Sequence, residues 1–123
     1  PFEFLPFDMN LKRCQRYYHK TYDDTTAVGT VTTVGAVQTG TTATSTFVPM
    51  QYFYPVRMRS APTFTAYSSA TGTSGKFDSN APSGDHNIGT GNIGMSNANF
   101  SSSTTSITAT GFIRAHFEAD AEL

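Results

Sequence analysis

The sequence predicts an all-β fold, a jelly-roll-type antiparallel β-sandwich with one short helical turn near the N-terminus. Three observations carry this. Thr and Ser together supply 20 and 12 of the 123 residues, and Thr is a strand residue and a poor helix former. Charged residues make up only 14% while mean hydropathy is -0.30, so the polarity comes from uncharged groups. The C-terminal stretch alternates with period two: Ile107, Ala109, Gly111, Ile113, Ala115, Phe117, Ala119, Ala121 and Leu123 hold the odd positions. That is the pattern of strands with one buried face.

Along the chain, PFEFLPF is aromatic and broken by proline, so residues 1–10 read as a packing or linker segment from an upstream region. Residues 11–123 read as a single β-sandwich domain, since a chain this short supports one core. Asp8 is placed as an N-cap before a helical turn over Met9–Cys14, and Gln15–Tyr22 as a strand. Val31–Val37 and Thr42–Tyr54 read as strands joined by a Thr39-Gly40-Thr41 turn. Pro49 and Pro55 put the second of these at an edge or a bulge. Thr63–Tyr67 alternates cleanly as a strand. Ser68–Asn87 reads as loops, with one short strand near Gly75–Asp78. Asn87–Phe100 repeats Asn-Ile-Gly and suggests a hairpin with a Gly-rich turn. Thr110-Gly111 is a candidate turn within the final ladder.

Charge and cysteine content narrow the function. Eight Lys and Arg stand against nine Asp and Glu, a net charge of -1, which argues against a nucleic-acid partner. No apolar run approaches the ~20 residues of a membrane span, so no membrane insertion is expected. The chain opens on Pro1 and is expected to be a piece of a longer one. Cys14 is the one cysteine, and no zinc spacing exists, so neither metal nor cofactor is expected. Cys14 follows Leu11 on one side of a helical turn and is expected to be a buried thiol. From Thr25 to Val56 there is no charged residue and no His. Either this stretch shows a Thr and Gln outer face, or it seats against another copy of the chain, as charge-depleted obligate interfaces do.

No catalytic motif stands out. Ala70–Phe77 only faintly resembles a phosphate loop, lacking the first Gly and the closing Ser or Thr. Asp78-Ser79-Asn80 opens like a calcium loop but is broken by Pro82. No carboxylate pair is marked out by spacing; Asp78 and Asp85 read either as a glycosidase pair or as two solvated loop residues. Asn99-Phe100-Ser101 is a glycosylation sequon. The expectation is a non-enzymatic binding module. Sugars are recognised by rings stacking on their apolar faces and by polar groups bonding their hydroxyls. Phe77, Asp78, Asn80, Asp85, His86 and Asn87 bring those types together. Phe77 is assigned the stacking role and Asp78, Asp85 and His86 the polar contacts. Tyr52, Tyr54 and Tyr67 form a second aromatic source, with a groove between chains beside Tyr52 and Tyr54 as the next candidate.

Leu11–Tyr18 (LKRCQRYY) resembles a phrase near the start of phage tail-fibre and tailspike C-terminal domains: apolar, any, basic or small, then Cys-Gln-Arg-Tyr-aromatic. Pro55–Thr63 (PVRMRSAPT) is similar to that family's Pro-Val-x-Met-Arg-x-x-Pro-Thr, and Ala119–Leu123 (ADAEL) to its chain end. The resemblance implies a jelly-roll sandwich at the distal tip of a virion tail fibre, extracellular when acting. It would be a homotrimer carried by upstream fibre domains, binding a host-surface carbohydrate without catalysis. A trimerising cap with no ligand, or a small glycan-cleaving domain, are the other readings. The resemblance marks Cys14, Arg16 and Arg59 as framework residues. It maps no binding residue; those named above rest on side-chain type and loop position.

Overall fold

A computed structural model describes residues 6–41, 49–80, 83–89, 91–102 and 111–122. Among them are one helix and eight strands: α1 (Phe7–Gln15), β1 (Tyr18–Lys20), β2 (Val37–Thr41), β3 (Pro49–Phe53), β4 (Thr63–Ser68), β5 (Lys76–Asn80), β6 (Ser83–Gly89), β7 (Asn97–Ser102) and β8 (Gly111–Asp120). The all-β expectation holds, and every pairing between strands is antiparallel.

The longest strand, β8, organises the sheet. Ala115 lies opposite both Val37 of β2 and Ser68 of β4, so those two strands flank β8 on opposite edges. Asp120 likewise lies opposite Tyr18 of β1 and Thr63 of β4. Thus β1 and β2 share one edge in tandem, and β4 and β5 share the other. The sheet continues from β5 through β6 and β7 to β3. It then curls, so that β3 and β7 lie over β8 and β4. Ile113, Ala115, Phe117, Ala119 and Ala121 are all buried, as the odd-position pattern requires. The Phe117 ring meets Phe100 at 4.3 Å, Phe64 at 5.1 Å and Tyr52 at 6.1 Å between centroids. Met50, Ala66 and Phe77 complete this core, and Tyr54, Met58 and Ala98 form its continuation beside Ala119 and Ala121.

Several expectations need correction. The helix starts at Phe7, one residue before Asp8, which lies in its first turn and makes no capping bond. The strand expected over Gln15–Tyr22 is confined to Tyr18–Lys20, because α1 runs on to Gln15. Thr39-Gly40-Thr41 is not a turn: it pairs with β8 as part of β2. The proposed turn at Thr110 and the first part of the strand expected over Thr42–Tyr54 lie outside the described residues. Ser68–Asn87 is not mainly loop, since β5 and β6 form a hairpin there. Val31–Val37 forms no strand before Val37. Instead residues 21–36 run as a strap across the outer face of β8.

His116 pins that strap. It is 0% exposed although it occupies an outward position of β8. Its Nε2 lies 2.9 Å from the Thr32 carbonyl, and its Nδ1 2.9 Å from the Thr21 hydroxyl. A carbonyl only accepts, so Nε2 carries the proton and Nδ1 accepts from Thr21. The Thr21 oxygen in turn accepts the Phe117 N–H at 2.9 Å. The Tyr22 ring stacks on the imidazole at 3.9 Å. Further along the strap, Gly29 meets the loop after β4. A Cβ on Gly72 would stand 2.0 Å from the Gly29 oxygen, and Gly72 has φ +73°, so glycine is required there.

Burial lowers the pKa of His116 and also that of His19 on β1, with the Thr32 bond opposing the shift at His116. Above about pH 6.5 both rings are neutral whether the chain is folded or not. Below it the unfolded chain takes up protons that the folded chain refuses. Stability is therefore full at neutral pH and falls on acidification, by up to ~1.4 kcal/mol per pH unit per ring until the folded rings titrate. Urea midpoints measured from about pH 7 to about pH 5, above the usual carboxylate range, are expected to drop steadily. A flat profile across that window would contradict the burial of both rings.

Candidate functional site

Phe77, Asp78, Asp85 and His86, assigned to a ligand, come together on the β5–β6 hairpin, but the two carboxylates are engaged by other protein groups. Lys76 pairs with Asn87, Phe77 with His86, and Asp78 with Asp85. Directly opposed residues share a face of the ladder, so Lys76, Asp78, Asp85 and Asn87 lie on one side, Phe77 and His86 on the other. Phe77 is 0% exposed and belongs to the core. It is therefore not a stacking ring for a ligand; period two turned it inward while its polar neighbours turned outward. His86 packs its ring 5.6 Å from Phe77 on that inner side and is only half-buried.

Asp78 is 8% exposed and ion-paired with Arg114, Nη2 to Oδ2, at 2.7 Å. The same guanidinium donates from Nε to the Ser69 hydroxyl at 3.1 Å and lies 4.5 Å over the Phe112 ring. Asp85 accepts from the hydroxyls of Ser68 and Thr71. Lys76 donates to the Asn87 amide oxygen. Like charges directly opposite destabilise a sheet. Arg114 on one carboxylate and two hydroxyls on the other offset that repulsion. Asp78 and Asp85 thus sit together as the carboxylate pair noted in the sequence, each engaged by protein donors.

The tyrosines divide between the two faces. Tyr52 stacks on His19 at 5.7 Å and is hydrogen-bonded to its Nε2, linking β3 to β1 inside the curl. Tyr54 is buried, its hydroxyl without a partner among the described residues, and burial pushes its pKa up to about 12. Both rings are core components rather than free ligand contacts in this chain. Tyr67 faces outward and donates to Glu118 Oε2 at 2.9 Å; burial first, and then that carboxylate, push its pKa up to about 12.

The three phrases singled out in the sequence converge at one end. The Arg59 N–H donates to the Arg16 carbonyl at 2.8 Å, and the Arg59 guanidinium lies 5.3 Å over the Tyr17 ring. The Ala121 N–H donates to the Tyr17 carbonyl at 2.7 Å, and Met58 is buried between them and β7. Cys14 is exposed, contrary to expectation. Leu11 and Cys14 do share a side of α1, but α1 buries no residue, and its contact with the strands is chiefly to β1. Between α1 and β1 lies an open cavity of about 360 Å³, walled by Leu11, Cys14, Tyr17, Tyr18, Asp24 and Glu122.

One further surface was not foreseen. In the β3–β7 ladder Gln51 lies opposite Asn99 and Phe53 opposite Asn97. Met50, Tyr52, Ala98 and Phe100 take the inner face, which leaves Gln51, Phe53, Asn97, Asn99 and Ser101 on the outer one. Phe53 is 65% exposed. The only hint in the sequence is the run Gln51-Tyr52-Phe53-Tyr54, where rings on both faces hide which side is buried.

No protein-family model, curated protein or solved structure matches the chain. Among the described residues no group of three or more His, Cys, Asp or Glu is placed to hold a metal ion. No helix among them is long and apolar enough to cross a membrane.

Proposed function

We propose that the chain is the distal receptor-binding module of a phage tail fibre, a jelly-roll-type sandwich that assembles as a homotrimer and binds host-surface carbohydrate without catalysis. It would sit at the fibre tip of the virion, joined to upstream fibre domains. The observation that carries this reading is the apolar surface left uncovered in one copy. Phe7, Met9 and Leu11 of α1, with Val31 and Val34 of the strap, are large and exposed in a chain of low charge. Phe7 and Leu11 stand four residues apart on one side of α1, and exposed apolar side chains grouped in this way suit association. Val31 and Val34 fall in the charge-free stretch, which accords with a face seated against neighbouring copies. The engagement of Asp78 by Arg114 and of Asp85 by Ser68 and Thr71 favours a structural role for them over hydrolysis.

A trimerisation cap with no ligand would use the same apolar surface, so the discriminating measurement concerns sugar. Light scattering is expected to give about three times 13.3 kDa. A glycan array is expected to give bound spots, with no reducing sugar released from host polysaccharide. A monomer would overturn the assembly, a silent array the recognition, and released sugar the absence of catalysis.

A further inference from the structure

We infer that the outer face of β3 and β7 is a platform for an uncharged sugar, with Phe53 under the apolar face of the ring and the amides of Gln51, Asn97 and Asn99 on its hydroxyls. This rests on the carbohydrate-binding reading and gives it a site and a ligand class. A lone exposed ring is ordinary on a protein surface. Phe53 differs in what the register places around it. Asn97 stands directly across the ladder, where side chains lie ~4.5–5.5 Å apart at Cβ, and Gln51 and Asn99 occupy the next outward pair. A sugar stacked on the ring would meet amides on two sides. Each amide both donates and accepts, which matches hydroxyls that do the same.

The platform is also set in place from below and beside. The inner face of the same two strands carries Met50, Ala98 and Phe100, all buried. The Asn92 N–H donates to Asn99 Oδ1 at 3.0 Å, so that amide is oriented with its NH₂ group left to donate. The 91–94 segment lies tight against β7: a Cβ on Gly91 would stand 1.5 Å from the Asn99 oxygen. A loop so close keeps the rim of the face fixed, and a rigid surface loses little freedom on binding.

Charge decides the ligand class. Gln51, Phe53, Asn97, Asn99 and Ser101 include no ionisable group, so none of these five side chains would compensate a sialic acid, a uronate or a phosphate. Desolvating such an anion without a partner is costly. Neutral hexoses and N-acetylhexosamines carry no such cost and present the mixed apolar and hydroxyl faces that a ring and three amides fit.

The test uses the assembled protein on an array of neutral, sialylated and uronate-containing glycans, with Phe53→Ala, Phe53→Leu and Phe53→Tyr beside the parent. The parent is expected to bind neutral glycans. Phe53→Ala and Phe53→Leu are expected to bind them about tenfold more weakly or worse, since Leu restores apolar area but no ring, and Phe53→Tyr to keep binding. Native mass and Tm should not move. Undiminished neutral-glycan binding by Phe53→Ala would place the site elsewhere and leave the receptor-binding reading standing. Binding confined to anionic glycans, or loss of native mass in Phe53→Ala, would likewise overturn the inference alone. A parent that binds no glycan would overturn the reading itself and the inference with it.

Discussion

Phe117→Ala is expected to cost about 3–5 kcal/mol, the usual range for removing a fully buried phenylalanine ring. The ring is 1% exposed and touches Phe100, Phe64 and Tyr52, which come from three other strands on both sides of the curl. Truncation leaves a void that none of them can close without moving its own strand. Domains of this size are stable by only ~5–15 kcal/mol, so the variant should lose a large share of the total. Its urea midpoint is expected to fall steeply, with Phe117→Leu intermediate and Ser60→Ala, at an exposed position, within about 0.5 kcal/mol of the parent. Equal midpoints for Phe117→Ala and Ser60→Ala would mean that the curl does not close over β8 as described.

The residues that made β8 readable are the ones that now carry the core. Alternation survives into the structure there because one face packs and the other meets the strap. The β5–β6 hairpin was not readable for the converse reason. KFDSN and SGDHNIG contain little that favours strands. They pair because Phe77 reaches the core and Arg114 on β8 holds Asp78, which is a tertiary effect that overrides propensity. Val31–Val37 erred in the other direction: its valines suggest a strand, yet Val31 and Val34 face solvent and the segment is tied down by His116 and a tyrosine stack. At the candidate site, sequence proximity brought ring, carboxylates and imidazole together correctly, but period two sent Phe77 inward and the cross-strand partners satisfied the carboxylates. The same period sent Phe53 outward, between two tyrosines that turn inward.

Arg114→Ala is expected to cost about 2–4 kcal/mol. Breaking a buried pair by removing one partner typically costs ~3–5 kcal/mol, because the other charge is left without compensation. Here the figure is reduced, since the Arg114 and Asp78 side chains keep 23% and 11% of their surface in solvent. Two features keep the effect large. Asp78 would be left directly opposite Asp85, whose own partners are two hydroxyls and no cation among the described residues. The Ser69 hydroxyl would also lose its donor. Asp78→Asn should be milder, because Arg114 retains Ser69 and the Phe112 ring and loses only the charge it faced. In the double variant the two losses should fall well short of adding, with a coupling energy above about 1 kcal/mol in a double-mutant cycle. Chemical denaturation of the four proteins reads this directly, and glycan-array binding reads the competing role. If Arg114→Ala keeps its stability and loses sugar binding, the hairpin carboxylates belong to a ligand site after all. If stability falls and the folded fraction still binds, Asp78 and Arg114 are the fastening that holds β5 to β8.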